Sequence, residues 1–146
     1  MIITREIDYA VRILRKLQDG QIHNMSTIAR DELIPRPFAY KIIKKLDQAG
    51  YVTVTFGAHG GYRLVTDLRD HNVYELIECL GGRTLVSACM REGYQCEWCD
   101  QYGQCRVSEN LRTIQRQMDD ILKQCSIHDL LGAGEQVSSN AEPAKA

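Results

Sequence analysis

Residues 35–65 read PRPFAYKIIKKLDQAGYVTVTFGAHGGYRLV. Proline is well tolerated in the first turn of a helix, so a helix is expected from near Pro37. It runs to Ala49 and stops at Gly50, a residue suited to the left-handed cap. On a helical wheel Ala39, Ile42, Ile43, Leu46 and Ala49 share one side. Arg36, Tyr40, Lys41, Lys44, Lys45 and Gln48 share the other. Tyr51–Phe56 and Tyr62–Val65 are rich in β-branched and aromatic residues and flank the glycine-rich turn Gly57–Gly61, which predicts a hairpin.

Upstream, Thr4 is placed to cap a first helix whose apolar stripe is Ile7, Ala10, Val11, Leu14 and Leu17, ending at Asp19-Gly20. Ser26 is placed to cap a short second helix containing Ile28, Ala29 and Leu33. Helix, short helix, tight turn, helix and hairpin is the order of a winged helix-turn-helix. The expected fold is mainly α with a small β-hairpin, followed by a long helix. The two-faced third helix suits a core on one side and the DNA major groove on the other. Its candidate DNA contacts are Arg36, Tyr40, Lys41, Lys44 and Lys45; the wing adds His59 and Arg63. Each alone could be an ordinary solvated side chain or a plain turn residue. The order of elements favours double-stranded DNA as the partner.

The chain has 146 residues with a formal net charge of −1. Residues 1–66 carry ten Lys/Arg against six Asp/Glu, and residues 67–146 carry eight against thirteen. A basic first half fits a nucleic-acid surface. No apolar run approaches a membrane span, and the charged amphipathic start MIITREIDYAV does not read as a secretory signal, so a cytoplasmic protein with no membrane partner is expected. No substrate-binding motif or acid/base constellation stands out, so an enzyme is not expected.

Further on, a short helix is expected over Val73–Leu80 and a longer one over Ser108–Gln124. In the latter region Leu111, Ile114, Met118, Ile121 and Cys125 recur at spacings of three and four, the seam of a helix that pairs with another. A homodimer on an inverted-repeat site is the expected assembly. Between these helices lies CMREGYQCEWCDQYGQC, Cys89–Cys105, which holds four of the six cysteines in seventeen residues with little to pack. In a reducing compartment such clusters bind metal or do redox chemistry more often than they form structural disulfides. An iron–sulfur cluster, a structural zinc and a thiol switch all suit the spacing. Cys96-Glu97-Trp98-Cys99 has the spacing of a redox C-x-x-C but lacks the βαβ surroundings. Cys79 and Cys125 fall on apolar helical faces and read as small hydrophobes.

The chain resembles the Rrf-two family of bacterial winged-helix regulators, which includes the IscR, NsrR and RirA types. The resemblance spans about residues 1–131. It is carried by TREIDYAVR, LDQAGYV, GAHGGYRL and the cysteine loop before a long helix. It implies a regulator whose DNA binding is controlled by an iron–sulfur cluster, 2Fe–2S or 4Fe–4S, that senses iron, redox or nitric oxide status. The implied ligands are Cys89, Cys99 and Cys105, with Cys96 an alternative to Cys99. IscR-type members carry a histidine three residues after the third cysteine, where this chain has Ser108. NsrR-type members use an aspartate of the partner's first helix, the position of Asp8. Many members begin the wing with arginine, where this chain has Phe56, so that DNA contact does not carry over. The alternative is a zinc-stabilised or thiol-switch DNA-binding protein without cluster sensing.

The expected organisation is a winged helix-turn-helix over 1–66, a connecting helix region over 67–88 and a cysteine-rich cluster loop over 89–107. A dimerisation helix over 108–131 and a tail over 132–146 of disordered composition follow.

Overall fold

A computed structural model describes residues 3–132. The part of the expected tail beyond residue 132 lies outside the described residues. The elements are α1 (Arg5–Leu17), α2 (Met25–Asp31), α3 (Arg36–Gln48), β1 (Val52–Thr55), β2 (Gly61–Leu64) and α4 (Val73–Cys79). A single 3-10 turn (Ala88–Met90), α5 (Glu97–Tyr102), α6 (Arg106–Gln124) and α7 (Ile127–Leu130) complete the chain.

α1 starts where the sequence indicates. The Ile7 amide donates to Thr4 Oγ1 at 3.4 Å, acidic Glu6 and Asp8 lie in the first turn, and basic Arg15 and Lys16 lie in the last. That charge order complements the helix dipole. Its buried face is Ile7, Ala10, Ile13, Leu14 and Leu17, so Ile13 rather than the half-buried Val11 completes the stripe.

α2 corrects two expectations. Asn24, not Ser26, is the cap: its side chain accepts from the Thr27 amide at 2.9 Å, and Ser26 is already the second residue of the helix. Leu33 lies beyond the helix, 80% exposed, with φ of +53°. The chain reverses there to deliver Ile34 to the core, and the left-handed residue makes the reversal. α3 then begins at Arg36 and ends against Gly50, whose φ is +81°. Ala39, Ile42, Ile43 and Leu46 are buried as expected, but Ala49 is exposed because the helix has already ended there.

The hairpin pairs Val52 with Leu64, Thr53 with Arg63, Val54 with Tyr62 and Thr55 with Gly61. His23 adds a bridge on the other edge of β2: its amide donates to Tyr62 O at 3.0 Å, and its carbonyl accepts the Tyr62 amide at 2.8 Å. A Cβ at Gly61 would lie 2.4 Å from His23 O, so only glycine permits this approach. The wing is thereby fastened to the segment before α2.

One core joins α1, α2, α3, the hairpin base and α4, through Val73, Leu76, Ile77 and Leu80. It also takes in Ile127 of α7, which is fully buried. The Ile127 amide donates to His71 O at 2.8 Å and the Val73 amide donates to Cys125 O at 3.0 Å. The chain therefore leaves the core along α6 and is tied back to it at α7. Among the described residues no helix is long and apolar enough to cross a membrane.

Leu33 generates a prediction. A left-handed non-glycine residue costs roughly 1–2 kcal/mol, and this side chain buries almost nothing. Leu33→Gly should raise thermal stability by about 1 kcal/mol, after allowance for the greater freedom of glycine in the unfolded chain. A lower melting temperature in calorimetry would mean that Leu33 makes a contact that offsets its strain.

Candidate functional site

α3 is set by its buried face, and its outer face carries Tyr40, Lys41 and Lys44, all exposed. Lys44 enters no ion pair among the described residues. Arg36 Nη2 donates to Ser26 Oγ at 2.5 Å, which holds the guanidinium at the α2–α3 junction. Lys41 Nζ is 3.6 Å from Glu6 Oε1 while its side chain stays largely exposed.

Lys45 departs from the expectation. Its ammonium donates to Glu6 Oε1 at 2.7 Å and to Leu80 O at 2.5 Å. It therefore joins α3 to α1 and to the C-terminal end of α4, where helix carbonyls lack partners within their own helix. Its side chain is 29% exposed. Lys45 lies at the edge of the apolar side of α3, and its aliphatic stem reaches along the core to these acceptors. It is a structural cation, turned away from the face that carries Lys44. The hydrogen bond from Lys45 is the main reason the Glu6 carboxyl sits below its usual range.

The hairpin flanks the outer face of α3. Tyr40, Ile43, Lys44 and Asp47 of α3 line one groove with Val54 and Tyr62 of the hairpin. His59 is exposed in the turn and Arg63 is exposed on β2. Phe56 stands at the tip, 87% exposed.

α6 is unlike the other long helices. Of its nineteen residues only Gln115 is buried. Ile114 and Ile121 are 51% and 67% exposed, Val107 is 65% exposed, and Leu111 and Met118 are half-buried. These five form an apolar strip that the chain itself leaves open. Cys125 parts from the expected seam: it is the extended C-cap of α6 and packs against the core instead.

Gln115 carries a role the sequence pattern hides. Its Oε1 accepts the Val86 amide at 2.8 Å, and its Nε2 donates to Thr84 O and to Asp119 Oδ1, both at 2.9 Å. Thr84 Oγ1 donates to the same Asp119 oxygen at 3.0 Å. This network pins residues 84–86, which lead directly to Cys89, onto α6. The only signal in the sequence is a Gln and an Asp four apart on the flank of an apolar strip.

The cysteine loop is partly helical, which its composition did not suggest. Cys96 precedes α5, Cys99 lies within it, and Trp98 stacks on Tyr102 with ring centroids 5.3 Å apart. Cys105 is the N-cap of α6 and its sulfur accepts the Ser108 amide at 3.4 Å. Cys89 lies in the 3-10 turn, its sulfur 3.1 Å from Ser87 Oγ. All six cysteines are free thiols and all are partly buried. The neighbouring Cys99 amide and thiol bring the Cys96 thiol below its ordinary range. The Cys96 sulfur beside it raises Cys99. Cys99 and Cys105 border the same open pocket, with Ser108 and Arg112.

Four soft sulfur donors suit a soft metal centre chemically. Among the described residues, however, no three His, Cys, Asp or Glu side chains converge closely enough to hold an ion. Asp8 stands apart from the loop on α1, paired with Arg12 at 3.0 Å. Cys79 is half-buried, donates to Leu76 O at 3.2 Å, and burial pushes its thiol up to about 11. It is inert, as the sequence suggests.

A two-faced helix beside a rigid hairpin defines a winged-helix DNA-binding protein. The Rrf2 family model, described as "Iron-dependent Transcriptional regulator", matches residues 3–133, and the chain belongs to this family. It is therefore a DNA-binding transcription regulator of the Rrf2 type. The HTH-type transcriptional regulator NsrR of Bacillus subtilis is 35% identical over 80 residues, covering 53% of this chain and 55% of that one. Protein rrf2 of Nitratidesulfovibrio vulgaris is 30% identical over 99 residues, 66% of each chain. The structure of CymR, the global cysteine regulator of B. subtilis, superposes with a TM-score of 0.66 at 18% identity, covering 92% of this chain and 99% of that one, which shows the shared fold.

The two neighbouring lysines should separate cleanly. Lys44→Ala should weaken DNA binding by about 1–3 kcal/mol if it reads a base edge, with unchanged stability. Lys45→Ala should lower stability by about 1 kcal/mol, since its pair is only partly buried. A carboxyl lowered by its partner adds stability above its unfolded pKa and loses it as pH falls through the folded value. The stability gap between wild type and Lys45→Ala should therefore shrink on acidification below the ordinary carboxylate range. Urea melts across pH, with binding measured in parallel, check both statements.

Proposed function

We propose that this regulator binds an inverted-repeat operator as a homodimer, and that an iron–sulfur cluster held by the cysteine loop controls that binding. The observation that carries this reading is the position of the thiols. Four of them stand between the winged domain and the open apolar strip of α6, and one of them, Cys105, is the N-cap of α6. The description of the family as iron-dependent supports it.

Cys89, Cys99 and Cys105 would hold the cluster, with Cys96 as the alternative to Cys99 and Asp8 of the partner subunit as the fourth ligand. When bound, the cluster supplies iron that can react with oxidants or nitric oxide, or be lost. A carboxylate is a harder and more easily displaced iron partner than a thiolate, so Asp8 leaves one corner weakly held. To serve there, Asp8 must leave Arg12, an exposed pair that costs about 1 kcal/mol or less to break. Drawing Cys89 and Cys105 together shortens the loop between them. Cys105 then shifts the first turn of α6, and the Gln115 network ties the Cys89 limb to the same helix. The outer faces of the two α3 helices move with the dimer seam. Cys96 at the N-cap of α5 and Cys99 in its first turn, both free thiols, favour a second reading, a dithiol switch without a cluster.

Two experiments test this. Anaerobically purified protein should be brown, with iron and sulfide. Cys89→Ser, Cys99→Ser and Cys105→Ser should lose the cluster, Cys96→Ser should keep it, and Asp8→Ala should form one with altered spectrum or faster change in air. A colourless protein with stoichiometric zinc, or with neither metal and a Cys96–Cys99 disulfide after oxidation, would select the alternatives. For the dimer, Ile114→Glu with Ile121→Glu would bury unpaired charges in a desolvated seam. Sedimentation should then show monomers with weakened operator binding. A double variant that remains dimeric at micromolar concentration places the interface elsewhere.

A further inference from the structure

Phe56 is the most exposed large hydrophobic side chain among the described residues. It stands where β1 ends and the wing turn begins. The turn is narrow: the Gly60 amide donates to Gly57 O at 3.0 Å, Gly57 has φ of +114°, and a Cβ at Gly60 would lie 2.2 Å from Thr55 O. Gly57, Ala58 and Gly60 offer the ring nothing to fold onto. The turn is shaped to hold Phe56 out rather than to tuck it in.

The base of this hairpin is fixed. His23 bridges Tyr62 from one side, and Val54 and Tyr62 border the groove that Tyr40 and Lys44 line from α3. The phenyl ring is therefore carried on the same surface as the cationic outer face of α3. From residue 51 to residue 65 the hairpin has one Lys or Arg, Arg63, and no Asp or Glu. It lacks the cations that would grip phosphates strongly, and it also lacks carboxylates that would repel them.

We infer that Phe56 is a DNA-specificity residue: it enters the minor groove as an apolar wedge and partly unstacks one base step beside the bases read by α3. The inference rests on the assignment of α3 and the wing to DNA. Apolar wedges bend DNA by opening a step, and the cost depends on the step opened. Flexible pyrimidine–purine steps such as TA and CA open most readily. The wing would thus impose a sequence preference at a position where it makes no hydrogen bond to a base.

Duplexes selected in vitro by the wild-type protein provide the probe, with 2-aminopurine placed at each step flanking the half-sites. Wild-type protein should raise the fluorescence at one flanking step, and the selected sequences should favour TA or CA there. Phe56→Ala should bind about tenfold more weakly, lose the fluorescence rise and lose the step preference. Phe56→Arg should recover affinity, with a salt dependence steeper by about one counterion, but without the fluorescence rise. Lys44→Ala, at saturating protein, should keep the rise, which separates the wedge from binding as such. Phe56→Ala that binds within twofold of wild type, or that leaves the fluorescence rise intact, overturns the wedge while leaving DNA binding by α3 standing. Failure of the wild-type protein to select any duplex would sink the DNA assignment itself.

Discussion

The burial of Ala39, Ile42, Ile43 and Leu46, each at 2% exposure or less, is the constraint on which the rest depends. These four side chains pack on α1 and α2 and fix the rotation of α3 about its own axis. Once that rotation is fixed, Tyr40, Lys41 and Lys44 have no choice but to face outward. Removing apolar area from water is the dominant favourable contribution to folding. The outward cationic face is thus the geometric remainder of core formation. Lys45 marks its boundary, since its ammonium reaches across the edge of the core to Glu6 and to Leu80 O.

The wing is held to this platform by the buried side chain of Val52 and by a backbone bridge. The His23–Tyr62 rung sets the distance between the hairpin and the segment entering α2, and Gly61 keeps that distance short. The hairpin and the segment entering α2 are thus joined through paired backbone hydrogen bonds.

The second half of the chain follows a different physical rule. α6 buries one polar side chain against the rest of the chain and leaves its apolar strip in water. Covering that strip would stabilise such a helix. The loop before it has two short helical turns and four thiols but no core. It is the part of the molecule with least packing to hold it, and so the part whose shape a bound metal or a new S–S bond could set.

Much of this was legible beforehand because it is local. The period of apolar residues gave α1, α3 and the apolar strip of α6 as far as Ile121. Glycine at 50 and the proline at 37 gave the ends of α3, and alternating β-branched residues gave the hairpin. The misreadings are also local in origin. Asn24 and Ser26 are both good caps, and only the entry angle of the chain chose between them. Leu33 reads as a helix residue by type, yet the turn required a left-handed backbone there. The chain's own pattern set the order of elements as far as α4, the family, and the presence of a thiol-rich loop, because patterning and spacing are properties of the sequence alone. Tertiary structure decided that Lys45 is structural while Lys44 is free, and that Cys125 belongs to the core. It also made Gln115 the tie between α6 and the limb that leads to Cys89. Those outcomes turn on which acceptors or apolar surfaces lie within a few ångströms once distant segments meet, and no periodicity along the chain encodes that distance.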